Sequence, residues 1–162
     1  LSKAKTAISE IEWELDYERY HESEDPRPYA HGRAQTSDVE IHSVFDIDRM
    51  EGHDFEYFCA DLLRKNGFSD VKVTPGSGDQ GVDILAVKDG VKYAIQCKNY
   101  ATPLSNKPVQ EVNAGKAFYG CHVGVVMTNS TFTPGAVNLA RATGVLLWDR
   151  VVVEKMMEKG NI

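Results

Sequence analysis

The stretch Val82-Asp-Ile-Leu-Ala-Val87, Lys88-Asp89-Gly90, Val91-Lys-Tyr-Ala-Ile-Gln-Cys-Lys98 constrains the fold of this 162-residue chain more than any other. Two runs of strand-forming residues flank an Asp-Gly pair, the combination a tight hairpin turn prefers because both central residues take positive φ. Side chains alternate along a strand. Val91, Tyr93, Ile95 and Cys97 therefore share one face, and Lys92, Ala94, Gln96 and Lys98 the other. If the turn centres on residues 89 and 90, Asp83 opposes Gln96. An aspartate, a glutamine and a lysine are then gathered at one strand end of a largely apolar hairpin, where an unpartnered polar group costs several kcal/mol, on the order of 2 to 7.

Just before this hairpin stands Gly76-Ser-Gly78-Asp-Gln-Gly81, which matches the G-x-G-x-x-G pattern of dinucleotide-binding loops. That pattern has physical content only where a helix follows the glycines and offers its N-terminus to a pyrophosphate. A strand follows here, and no Gly-Lys-Ser/Thr occurs. A nucleotide-binding protein is the weaker reading for both reasons.

The rest of the chain supplies the layers around the hairpin. Asp48 and Glu51 have capping-box spacing, and Phe55, Phe58, Cys59, Leu62 and Leu63 form a helical apolar face that stops at Asn66-Gly67. A strand is expected at 69–74, before the glycine loop, and the hairpin strands at 82–88 and 91–99. A helix follows from Pro108 to about Tyr119, then a buried strand at 123–128. Thr133-Pro134 cap a helix ending near Gly144, a strand covers 145–148, and a last helix closes the chain. The order α-β-β-β-α-β-α-β-α predicts an α/β protein: a mixed central sheet with helices on both faces. Upstream, Ala4, Ile8, Ile11 and Leu15 place an amphipathic helix over about 2–22, and residues 23–43 read as a polar linker. The division is thus an acidic helix-and-linker arm at 1–47 and a main domain at 48–162. The arm's narrow apolar stripe could fold back or pair with a second copy in a homodimer.

Charge follows the same division. The net charge of −6 comes from residues 1–49, which carry 6 Lys/Arg against 12 Asp/Glu, so the remainder is balanced at 12 against 12. Acidity overall is therefore no argument against a phosphate-bearing partner. Three cysteines, Cys59, Cys97 and Cys121, in apolar segments without metal spacing suggest reduced core thiols and a cytoplasmic setting. No run approaches the ~20 apolar residues that span a bilayer. A chain that opens on Leu1 reads as a piece of a longer or processed protein, which leaves an upstream membrane anchor open.

One more carboxylate belongs with the hairpin cluster. Glu56 has Cys59, Ala60 and Leu63 at helical spacings, so it lies at the edge of a buried face. Two carboxylates, an amide oxygen and an ammonium at one strand end are suited to divalent-metal phosphodiester hydrolysis, which needs hard oxygen ligands and a cation at the phosphate. At Met50-x-Gly52-x-x-Phe55-Glu56, Gly78-Asp79-x-Gly81-x-Asp83, Gln96-Cys97-Lys98 and the Thr128-Asn129 to Phe132-Thr133 segment, the chain resembles the Mrr-type restriction endonucleases, a branch of the PD-(D/E)xK nucleases. The resemblance covers about residues 48–150. It implies a restriction-endonuclease-like core and cleavage of double-stranded DNA with Mg²⁺, for which Mn²⁺ substitutes. It also implies metal ligation by Asp83, the Gln96 side chain and the Cys97 main-chain carbonyl, with Lys98 catalytic and Glu56 supporting. Gln96 stands where the superfamily usually has Asp or Glu, which removes a charge that Asp79 or Glu56 could offset. Asp79 reads otherwise as a turn former beside Gly78. Gln110, early in the helix after the lysine strand, could meet phosphate or simply face solvent. The reading from another class keeps the fold as a catalytically silent DNA-binding or assembly module.

Overall fold

The computed structural model describes residues 47–160. The helix expected at 2–22 and the linker after it lie outside them. The described part follows the expected order: α1 (Gly52–Lys65), β1 (Ser69–Val73), β2 (Ile84–Lys88), β3 (Val91–Lys98), α2 (Asn106–Phe118), β4 (Val123–Thr128), α3 (Pro134–Thr143), β5 (Leu146–Trp148) and α4 (Arg150–Gly160).

The five strands form one sheet in the order β1-β2-β3-β4-β5. β1, β2 and β3 run antiparallel, and β3, β4 and β5 run parallel, joined by crossovers through α2 and α3. Asp89 (φ 53°) and Gly90 (φ 76°) both take positive φ in the hairpin turn, as its sequence requires. The register puts Ile84 opposite Ile95 and Lys88 opposite Val91. Asp83 stands one residue before β2, yet its backbone is fixed on both sides. Its N–H donates to the Ile95 carbonyl at 2.8 Å, and its carbonyl accepts from the Thr74 N–H at 2.9 Å.

Alternation then sorts the core. Ile84, Ala86, Ile95 and Cys97 face α1 and α4, packing on Phe55, Leu62, Val153 and Met157. Val126 faces the other way, onto Val109 and Val112 of α2 and Ala136 and Ala140 of α3. Each fully buried Val, Ile, Leu, Phe or Met among them contributes ~1.5 to 3 kcal/mol relative to exposure. Asn66 ties the end of α1 to α4 within one layer by donating from Nδ2 to the carbonyls of Leu62 and Met156, both at 2.9 Å.

Three local expectations need correction. α1 starts from Glu51 with no side-chain cap, so the Asp48–Glu51 box does not form. Asp48 instead accepts from Arg150 Nη1 at 2.7 Å and from Asn129 Nδ2 at 3.0 Å. Those charge-assisted bonds, with Arg150 first, hold its carboxyl below the usual range and outcompete a helix N–H. α2 begins at Asn106, two residues before Pro108. Pro108 therefore sits in the first turn, where a missing N–H costs nothing. Cys121 is partly exposed rather than in the core. Thr133 does cap α3, accepting from the Ala136 N–H at 3.3 Å, with Pro134 at its first turn.

The glycine loop finds its use in packing. A Cβ on Gly115 of α2 would lie 2.6 Å from the Gln80 carbonyl oxygen and 2.5 Å from a Val82 methyl, and one on Gly81 would lie 2.7 Å from Glu111 Cβ. Loop and helix thus touch backbone to backbone. Gly115→Ala is expected to destabilise the domain. Helix propensity favours alanine by ~1 kcal/mol, but forcing an atom against a main-chain carbonyl costs ~1 to 3 kcal/mol or more. A thermal melt several degrees below wild type checks this, and an unchanged or higher midpoint contradicts it.

Candidate functional site

The glycine loop, the hairpin and α2 border an open cleft of about 480 Å³, lined by Asp79, Gln80, Asp83, Gln96, Lys98 and Glu111 among others. A second cleft of about 310 Å³ beside the N-terminal turn of α2 has Lys98 and Glu111 in its wall too.

Asp83 is buried, 7 % exposed. One carboxylate oxygen, Oδ2, accepts the Cys97 N–H at 2.7 Å, so the acid is held across the hairpin by the main chain of β3. Burial pushes its pKa up to about 6. The Cys97 N–H and Lys98 pull the other way, and the carboxylates of Glu56 and Asp79 add to the rise. A buried acid between like charges is costly to ionise and well placed to gain from a cation.

Gln96 is 2 % exposed. Its Nε2 donates to Glu111 Oε2 at 2.8 Å, and its buried Oε1 has no hydrogen-bond partner. An orphaned amide oxygen costs ~1 to 3 kcal/mol, so it calls for an explanation. Lys98, partly exposed, follows two residues later on the same face.

The remaining expected residues are placed unequally. Glu56 lies on α1, across the sheet from α2, with Oε2 3.1 Å from His53 Nδ1. It does not line the cleft, but it is near enough to act on the Asp83 carboxyl. Asp79 serves the turn: Oδ1 accepts the Gly81 N–H at 2.9 Å and its carbonyl accepts the Val82 N–H at 2.9 Å, while the residue borders the cleft. Cys97 gives its N–H to Asp83. Its thiol is buried beside Cys59 and pushed well above the usual range, chiefly by burial, so it is no nucleophile. Gln110 is exposed and stays outside the cleft.

Its neighbour Glu111, unremarked in the sequence reading, is the one that enters. Ala114 and Gly115 stand three and four residues after Glu111, and small residues at that helical spacing mark the face that approaches the loop. That was the available signal. A further network anchors the chain just past Lys98. Asn99 Nδ2 donates to the carbonyls of Ile47 (2.9 Å) and Met50 (2.8 Å), and Asn129 Oδ1 accepts the Tyr100 N–H at 2.8 Å.

A buried carboxylate and a buried, unpartnered amide oxygen on facing strands fit a hard divalent cation, which takes oxygen ligands. Among the described residues no group of three His, Cys, Asp or Glu forms a metal cluster.

The burial of Asp83 has a consequence for stability in the absence of metal. A carboxyl whose pKa is raised from 3.8 to about 6 adds stability that is fully present below the unfolded value and lost as pH rises through about 6. The full difference is roughly 3 kcal/mol. In EDTA, the wild-type melting temperature is expected to fall between pH 5 and pH 7.5, and to fall less in Asp83→Asn. Equal slopes for the two proteins would contradict this.

Residues 47–157 match the family model Mrr_cat, described as restriction endonuclease. Among solved structures, "Protein of Unknown Function AF1548" aligns with TM-score 0.56 at 24 % identity over 65 % of this chain and 65 % of its own. "DNA modification-dependent restriction endonuclease AspBHI" aligns with TM-score 0.56 at 16 % identity over 74 % of this chain and 35 % of its own. At these identities the likeness is one of fold, and the aligned part spans just under two thirds of the first structure and about a third of the second. Among curated proteins, none matches this sequence. No described helix is long and apolar enough to cross a membrane.

Proposed function

Because the chain belongs to the Mrr_cat restriction endonuclease family, we propose that it is a divalent-metal-dependent endonuclease of double-stranded DNA whose centre is Asp83, Gln96 and Lys98. The carrying observation is the buried, unpartnered Oε1 of Gln96 beside a cleft that also receives Asp83 and Lys98. Asp83, Gln96 Oε1 and the Cys97 carbonyl would hold Mg²⁺, with Mn²⁺ as a substitute. When bound, such a cation would supply charge neutralisation at the phosphate and a more acidic water.

The chain's own groups do the rest. The Cys97 N–H and the backbone bonds of Asp83 fix the carboxylate before substrate arrives, so no reorganisation is needed at the moment of reaction. Lys98 offers its ammonium to the negative charge that grows on the phosphate. Glu56 deepens the negative potential around Asp83 from the far helix, and Asp79 holds the loop that closes one side of the cleft. A role in restricting foreign or modified DNA, or in DNA processing, follows the same reading.

The test is incubation of the full chain with supercoiled, linear and methylated plasmid in Mg²⁺ or EDTA. Conversion to open-circular or linear product in Mg²⁺ alone supports the reading. No product on any substrate, with either Mg²⁺ or Mn²⁺, would leave a DNA-binding or assembly module of this fold.

A further inference from the structure

We propose that Glu111 is a positioning residue that sets the orientation of the Gln96 amide, turning its oxygen toward the cation site, and so restores to the centre the negative charge that glutamine lacks. The inference rests on the metal-dependent reading above and goes beyond it, since Glu111 lies on α2, outside the hairpin.

The two ends of a glutamine amide are nearly the same size but opposite in chemistry: Oε1 only accepts and Nε2 only donates. Without a directing neighbour, nothing would fix in the metal-free protein which end of the amide faces the cation site. Glu111 removes the choice. A carboxylate cannot donate, so the end of the amide that meets Glu111 Oε2 at 2.8 Å is Nε2, and Oε1 is the end left without a partner. Gln96 is 2 % exposed, so water does not compete freely for either end. The rest of the structure keeps Glu111 in place. Gly81 lies so close to it that a Cβ there would be 2.7 Å from Glu111 Cβ, and Lys107 Nζ lies 3.7 Å from Glu111 Oε1, one turn back along α2. An orienting partner of this kind is what metal ligands generally require, and losing one typically weakens metal affinity about 10- to 100-fold.

The test uses the full chain, Mn²⁺ alone as the probe, titration calorimetry as the readout and a melt in EDTA as the control for folding. Glu111→Gln is expected to weaken Mn²⁺ binding by about 10- to 100-fold, because a second amide at this position can donate as well as accept and no longer selects one end of Gln96. The decisive variant exchanges the pair, Gln96→Glu with Glu111→Gln. Here the introduced amide donates to the introduced carboxylate, an oxygen again faces the cation, and binding returns toward wild type. A merely structural role for Glu111 would instead lower the melting temperature of Glu111→Gln in EDTA along with its Mn²⁺ affinity.

If Glu111→Gln binds Mn²⁺ as wild type does while Asp83→Asn does not, this inference falls and the nuclease reading stands. Failure of the exchanged pair to recover binding lost in the single variant also overturns it. If wild type itself binds no Mn²⁺, or Asp83→Asn binds it equally well, the metal-dependent reading falls and takes this one with it.

Discussion

Asp83→Asn is expected to abolish Mg²⁺-dependent cleavage and, at pH 7.5 in EDTA, to make the protein more stable than wild type. The two effects have one cause. In the metal-free state, burial and the nearby carboxylates of Glu56 and Asp79 raise the Asp83 pKa to about 6, so at pH 7.5 the folded chain carries a penalised charge. Asparagine has nearly the same shape, and its Oδ1 can still accept the Cys97 N–H that Asp83 accepts at 2.7 Å. Removing the charge should therefore recover ~1 to 3 kcal/mol, the upper end set by the size of the pKa rise. The same substitution removes the only ionised ligand proposed for the cation, so stabilisation by Mg²⁺ should vanish with activity. Melts of both proteins in EDTA and in Mg²⁺, beside a plasmid assay, provide the check. A variant less stable than wild type in EDTA, or one still stabilised by Mg²⁺, would show that Asp83 serves the fold rather than the site. A position where function opposes stability is the expected signature of an active centre.

Lys98→Met is expected to lower cleavage at least about 10² to 10³-fold, the loss typical when one preorganised donor to a developing oxyanion is removed. Methionine keeps most of the apolar stem, so the partly exposed side chain can still pack along the cleft and the fold should survive. Mn²⁺ affinity should hold or rise, because a cation beside the proposed ligand set is gone. That divergence separates Lys98 from Asp83, whose loss should affect both quantities. Single-turnover cleavage beside calorimetric Mn²⁺ binding would reveal it. Unimpaired cleavage by Lys98→Met would remove the lysine from the chemistry.

How much could be read in advance depended on how local the cause was. The hairpin was legible because the Asp89-Gly90 turn fixes the register within sixteen residues, and alternation then fixes which side chains share a face. The register through Ile84 and Ile95 needed nothing further, and it leaves Asp83 beside the same strand end as Gln96. Helix limits were less legible where distant partners intervened. Asp48 has the spacing of a cap, yet it is taken by Arg150, which is 102 residues away in sequence. Glu111 was hidden for a related reason. Its role depends on how closely α2 approaches the glycine loop, and that approach is a property of Gly81 and Gly115 together. The G-x-G-x-x-G match illustrates the converse, since a pattern that names glycines does not say what comes near them.

The contact at Gly115 and Gly81 also bears on what can evolve here. With no room for a Cβ at either glycine, the separation of α2 from the loop is held at its minimum, so substitution at these two positions cannot adjust it gradually. The side chains that line the cleft remain exchangeable, and the hydrogen-bonded pair at positions 96 and 111 is a natural first target for a library aimed at altered cation selectivity.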